Sequence, residues 1–263
     1  MSASEQPDQR QRSSGTMGLI GDAVEDIWDD PALLVPYLLA GVVVAAVDTL
    51  RLADPVPVDV QTTGTNGLIH VRIRSFPGVV RVVQSWPTSL PGLEPAYLAS
   101  TLAANVLAVA CGVLAMALVV SRFDAKTSRG RRPVGRLLAY ALVLGALGSG
   151  VGGLALWVGF PATLLAVLGM LVVAMRTYPV PVLLLRGRSV VDALRRSMTL
   201  TAGHNRLTFG LVTVLGLGAH LLASPVPLLD VDLPLAVGTF LATTVVGPVH
   251  ALATVHATDQ WER

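Results

Sequence analysis

The chain has 263 residues, 52% of them apolar and only 14% charged, whereas an ordinary soluble domain carries about 25% charged residues. That supply cannot cover a water-soluble surface, and a net charge of +2 is too small to argue for a nucleic-acid partner. The single cysteine, Cys111, excludes an intrachain disulfide and an intrachain thiolate metal cluster.

Residues 1–30 are polar and acidic, with Glu5, Asp8, Asp22, Glu25, Asp26, Asp29 and Asp30. They lack the basic-then-apolar order of a secretory signal, so the first span is expected to stay as an uncleaved anchor. Within them, residues 19–28 read as an amphipathic helix whose buried face is Leu19, Ile20, Ala23 and Ile27.

Crossing about 30 Å of hydrocarbon takes about 20 helical residues, whose backbone groups bond internally. The first such run is 31–50, opened by Asp30 as N-cap and Pro31 at the first helical position, and closed near Asp48. An external loop, 51–95, follows. In it Ile69, Val71 and Ile73 alternate with His70, Arg72 and Arg74, and Val56, Val58 and Val60 precede them across Gly64, Asn66 and Gly67. That pattern predicts a small external β-hairpin. Trp86, Pro87, Pro91 and Pro95 are expected to return the chain to the interface.

The second span, 96–121, leads into a basic segment with Arg122, Lys126, Arg129, Arg131, Arg132 and Arg136. The 39 uncharged residues between Arg136 and Arg176 would form a helix of about 58 Å, roughly two membrane thicknesses. They must fold back, and Gly159, Phe160 and Pro161 mark the hairpin between spans 137–158 and 161–185. Ala141, Gly145, Ser149 and Gly153 recur every four residues, a face on which helices pack closely, either against a span of the same chain or against a second copy. Intrachain packing is the more general use of such faces. Arg176 is the one intramembrane charge that invites a functional reading, because a cation among apolar residues often marks a solute path. Its place near the inner boundary favours the plainer reading, a stem that snorkels to the headgroups while Pro179 and Pro181 kink or end the helix.

A second basic segment holds Arg186, Arg188, Arg195, Arg196 and Arg206. Within it, Ser189 and Asp192 form a capping box and Gly203 a stop, predicting a short interfacial helix with Val190, Val191, Leu194 and Met198 on one face. Spans 206–224 and 233–257, separated by Asp230 and Asp232, complete the count. The expected fold is all-α: a polytopic bundle of about six transmembrane helices with a small external β-hairpin and short interfacial helices. Residues 1–30 form a polar N-terminal segment and 31–263 the membrane domain. Basic loops stay in the cytoplasm, so the chain reads as a multi-pass cell-membrane protein with both termini cytoplasmic and with Arg131, Arg132, Arg195 and Arg196 at the inner interface.

Reactive constellations are missing. His204, His220, His250 and His256 carry no helical i, i+4 spacing to another ligand, and no phosphate loop, nucleophile elbow or paired intramembrane carboxylates occur. No metal site or cofactor is expected.

The run GRSVVDALRRSMTLTAGHNRLTFGLVTV, residues 187–214, and the opening AVEDIWDDPALLVPYLLAG, residues 23–41, resemble an uncharacterised family of polytopic membrane proteins of halophilic archaea. More distantly they resemble the membrane domain attached to glycerophosphodiester phosphodiesterases. The resemblance covers about a fifth of the chain and implies six spans; the phosphodiesterase's own catalytic residues have no counterpart here. The leading functional expectation is a non-catalytic protein that binds lipid or partner proteins, the bilayer itself being its first partner and a membrane protein or a second copy the next. The alternative is a small-molecule permease or transporter subunit with Arg176 near the pathway.

Overall fold

The computed structural model describes residues 15–53, 59–60, 76–81, 83–84, 93–124, 127, 131–223 and 235–263, with backbone only at 59–60, 83–84, 131, 152–157, 160 and 235. Its elements are α1 (Thr16–Asp29), a 3₁₀ turn (Pro31–Leu34), α2 (Val35–Leu52), α3 (Pro95–Phe123), α4 (Arg131–Val158), α5 (Phe160–Thr177), α6 (Val180–Leu185), α7 (Val190–Ala202), α8 (Asn205–Ala223) and α9 (Leu235–Trp261). Among the described residues six candidate spans are long and apolar enough to cross a membrane: Pro31–Leu52, Pro95–Phe123, Arg132–Val151, Pro161–Leu185, Asn205–Ala223 and Ala236–Trp261.

α9 is the hub, packing against α1, α2, α3, α6, α7 and α8, while α4 packs on α3, α5 and α6. In the α4 span 11% of residues are buried, against 56% in α9, so α4 is the most lipid-facing of the six. The α4–α5 hairpin turns at Gly159, whose φ of 108° lies in the left-handed region that favours glycine. The fourth span is interrupted: α5 stops at Thr177, and Pro179 and Pro181 restart the chain as α6, a wholly buried turn from Val180 to Leu185.

One end of the bundle, the terminus side, gathers several ion pairs. Asp26 of α1 meets His256 of α9 at 2.6 Å, and Asp30 takes both arms of Arg122 at 2.7 and 3.0 Å. Asp30 therefore pairs with the end of α3 and makes no side-chain cap, the role expected of it from sequence. α1 buries Leu19 and Ala23, with Ile20 and Ile27 packed on the same core, as the periodicity predicts. Its outward edge, Met17, Val24 and Trp28, is exposed. In α7 the Ser189 hydroxyl accepts from the Asp192 amide, and Ala193, Ser197, Leu200 and Thr201 face the bundle. The expected apolar face is thus split: Val190 and Leu194 pack on the core, while Val191 and Met198 are exposed.

At the opposite, loop-side end, Asp59–Val60 pairs antiparallel with Val83–Gln84. Val83–Gln84 takes the place expected of the Ile69–Ile73 arm, which lies outside the described residues, as do Trp86, Pro87 and Pro91. The loop between α2 and α3 is also not wholly external. Residues 76–81 run without helix between α2, α3 and α9.

Candidate functional site

These six residues form a strap that reaches into the bundle. Gly112 of α3 sits so close that a Cβ there would lie 2.8 Å from the Val79 nitrogen and 3.0 Å from the Gly78 Cα. Gly112 is 17 residues from Pro95 and 11 from Phe123, or roughly 26 Å and 16 Å along the axis at 1.5 Å per residue, so the strap reaches membrane depth. Non-helical backbone is tolerated there only where protein or a water-filled path satisfies its polar groups. Here side chains do so. The Tyr37 hydroxyl donates to the Pro77 carbonyl at 2.7 Å. The Thr243 hydroxyl accepts from the Val80 amide at 3.0 Å and donates to the Val80 carbonyl at 3.1 Å.

The last residue described in this stretch is Arg81, which is 8% exposed. Its Nε donates to Asp48 Oδ1 at 2.8 Å and its Nη1 to Asn105 Oδ1 at 2.6 Å. Asp48 is completely buried, and the Thr239 hydroxyl donates to its other oxygen at 2.6 Å. One turn further along α2, buried Arg51 donates to Ser100 and Thr101 of α3. A carboxylate at that depth requires a positive partner and full hydrogen bonding; the strap supplies Arg81 and α9 supplies Thr239, while Asn105 of α3 holds the other arm of Arg81.

A second cluster ties the terminus side together. Arg186, at the end of α6, bonds Asp124, Asp259 and Glu262 at 2.8, 2.9 and 2.9 Å with only 7% of its side chain exposed. Burial works against its charge, but the hydrogen bonds and charges of Asp124 and Asp259 outweigh that and hold its pKa above the ordinary arginine value. Beside it, His250 stacks on Tyr178, with ring centroids 5.6 Å apart, and His204 stacks on Trp261 at 5.2 Å. Among the described residues no three His, Cys, Asp or Glu side chains are grouped to hold a metal ion.

The residues singled out from sequence are not brought together. Arg176 is half-buried at the terminus-side end of α5, and its carbonyl accepts from Ser197 of α7. Arg132 and Arg195 are exposed and Arg196 is half-buried; Arg131 opens α4, its side chain outside the described residues. On the small-residue face Ala141 is buried, but Gly145 and Ser149 are exposed, and nothing stands within 4 Å of a Cβ on Gly145. Gly153 falls in the part of α4 described by backbone alone. The strap, with Arg81 and its hydroxyl partners Tyr37, Thr239 and Thr243, escaped the sequence reading; its one visible signal was the apolar run Phe76, Pro77, Gly78, Val79, Val80 interrupting a polar loop.

A shallow open cavity of about 290 Å³ lies at the turn between α7 and α8, lined by Ala202, Gly203, His204, Asn205, Arg206 and Leu207. The His204 carbonyl accepts from the Thr208 amide, while its Nδ1 lies 2.9 Å from the Leu200 carbonyl. The imidazole thus turns away from the first α8 amides, which have no partner inside the helix. No family model matches the chain, and neither the curated proteins nor the solved structures contain a significant match to it.

Proposed function

We propose that the protein is a non-catalytic, multi-pass protein of the cell membrane, with both termini in the cytoplasm, that binds the phosphate headgroup of an anionic lipid at the turn between α7 and α8. The observation that carries this reading is the cavity there: Arg206 and the first residues of a 19-residue helix line it, a combination suited to an anion. Met198 on α7 and Phe209 on α8 are each about half exposed beside it, offering apolar surface to the acyl chains of the same lipid. The resemblance of residues 187–214 to polytopic proteins of halophilic archaea, itself part of this proposal, covers that turn. Native mass spectrometry of the detergent-solubilised protein tests it with phosphatidylglycerol against phosphatidylcholine. Preferential retention of the anionic lipid is expected, falling about tenfold in Arg206→Gln, since a hydrogen bond to a charged group contributes about 1.5–3 kcal/mol. Equal retention of both lipids, or an unchanged Arg206→Gln, overturns it.

A second reading, a permease or transporter subunit, is favoured by one observation: non-helical backbone beside a buried ion pair at membrane depth. Any solute path then runs along the strap where α2, α3 and α9 meet it. It does not pass Arg176, which lies at the far end of α5.

A further inference from the structure

We propose that α1 is a lipid-docking helix: it lies in the plane of the membrane at the terminus side, with its outward strip, Met17, Gly21, Val24 and Trp28, seated where the headgroups of the bilayer meet the acyl chains. Docking of α1 needs no lipid at the turn between α7 and α8.

The level and direction of α1 follow from what its two ends touch. Its first residue, Thr16, meets α8 at Gly210, where an added Cβ would run into the threonine side chain. Near its other end, Asp26 meets α9 at His256. Gly210 lies five residues from the start of α8 at Asn205, and His256 lies five residues from the end of α9 at Trp261. Those two helix ends are level with each other, because His204, which precedes α8, stacks on Trp261. Both ends of α1 therefore sit about 7–8 Å inside the terminus-side ends of the spans they touch, at 1.5 Å per residue. α1 runs across the bundle rather than along it, at a level that matches the roughly 5–10 Å to which in-plane amphipathic helices sink their apolar face into the boundary between headgroups and acyl chains.

The order of residues gives each side of α1 a neighbour. At about 100° per residue, Met17, Gly21, Val24 and Trp28 form one exposed strip, opposite Leu19 and Ala23, which enter the core. Glu25 and Asp29 are exposed on one flank, and Ile20 and Ile27 pack on the core from the other. The helix thus has one acidic side suited to water and an apolar arc that passes from the bundle round to the outward strip. Trp28, 79% exposed, is an aromatic with a polar tip, the type enriched at membrane interfaces. Beyond the 3₁₀ turn the exposed apolar surface continues along the first span through Val35, Leu38, Leu39 and Val42. That continuity with the surface of a span identifies the occupant of the strip as bilayer lipid, since an apolar patch at this level is stable only when covered.

Spin labels on the full-length protein in phosphatidylcholine vesicles test the docking. In a Cys111→Ser background, nitroxides are attached singly at Met17→Cys, Val24→Cys, Glu25→Cys and Asp29→Cys, all exposed positions, and their collisions with oxygen and with a water-soluble nickel chelate are compared. The ratio of oxygen to nickel collisions is expected to be several-fold higher at Met17→Cys and Val24→Cys than at Glu25→Cys and Asp29→Cys. Equal ratios at the four positions mean that the strip faces water, and the proposal falls. It falls equally if neither reagent reaches the strip labels, or if those labels broaden one another between molecules, the mark of a second copy seated there. A second readout leaves Cys111 in place: the emission that Trp28 adds over Trp28→Phe should be quenched by phosphatidylcholine brominated on its acyl chains, and an unquenched difference overturns the proposal.

Discussion

Replacing Arg186 by methionine keeps most of the side-chain volume and leaves Asp124, Asp259 and Glu262 facing one another across the vacated guanidinium position. Removing one partner of a buried ion pair costs about 3–5 kcal/mol, because the remaining charge stays desolvated. Asp124 is 6% exposed, but Asp259 and Glu262 are 22% and 20% exposed and can partly rehydrate, which selects the lower end, about 3 kcal/mol. At about 2 °C per kcal/mol for a chain of this length, the apparent Tm falls by about 6 °C. Size-exclusion thermostability of the fluorescently tagged protein in a mild detergent measures it. The pH dependence carries a sign of its own. The pKa of Arg186 is raised by its carboxylate partners, so its stabilisation is complete below the already strongly alkaline unfolded-state value and is lost only as pH climbs through the still higher folded-state value. The gap between wild type and Arg186→Met is therefore constant across the neutral to mildly alkaline range. A methionine variant within about 1 °C of wild type, or a gap that closes on raising the pH to about 9, refutes the argument that this arginine is a buried clasp.

The strap makes two further predictions. Gly112→Ala pushes a methyl group into the Val79 and Gly78 backbone and should cost about 1–3 kcal/mol by overpacking, whereas Gly145→Ala, with open space around it, should leave thermal stability unchanged or slightly raised. Tyr37→Phe removes the donor to the buried Pro77 carbonyl; a loss of about 1–3 kcal/mol is expected in the same assay, and an unaltered Tm would mean that the carbonyl finds another partner.

The spans were legible in the sequence because lipid imposes one rule on every residue of a span. A run such as 137–175 has no charged residue to interrupt it, and its excess length forces the turn at Gly159. The helix α7 was legible through Ser189 and Asp192, a local pairing that depends on no distant residue. The buried network was not. Asp48 reads from sequence as the polar end of a span and Arg81 as a loop arginine, and neither reading is wrong locally. Their meeting depends on a segment leaving the expected loop region and entering the bundle, which is decided by contacts with Thr243 and Gly112 far along the chain. The split of the α7 apolar face was likewise hidden. Periodicity gives the hydrophobic stripe but not how it divides between the bundle, which takes Ala193 and Leu200, and the interface, which takes Val191 and Met198.

The strap also constrains how the protein is assembled. Its cradle is completed by Thr239 and Thr243 of the last span, and Thr243 is made 163 residues after Val80. At roughly 5–20 residues per second, synthesis leaves the segment without its final wall for about 8–30 s. Throughout that interval α2 and α3 can already lie in the bilayer as a hairpin, with Asp48 and Arg81 free to find each other. A ribosome-bound intermediate that stops before α9 has no Thr243 with which to hold the Val80 backbone, so the loop between α2 and α3 takes its mature path only when the chain is nearly finished.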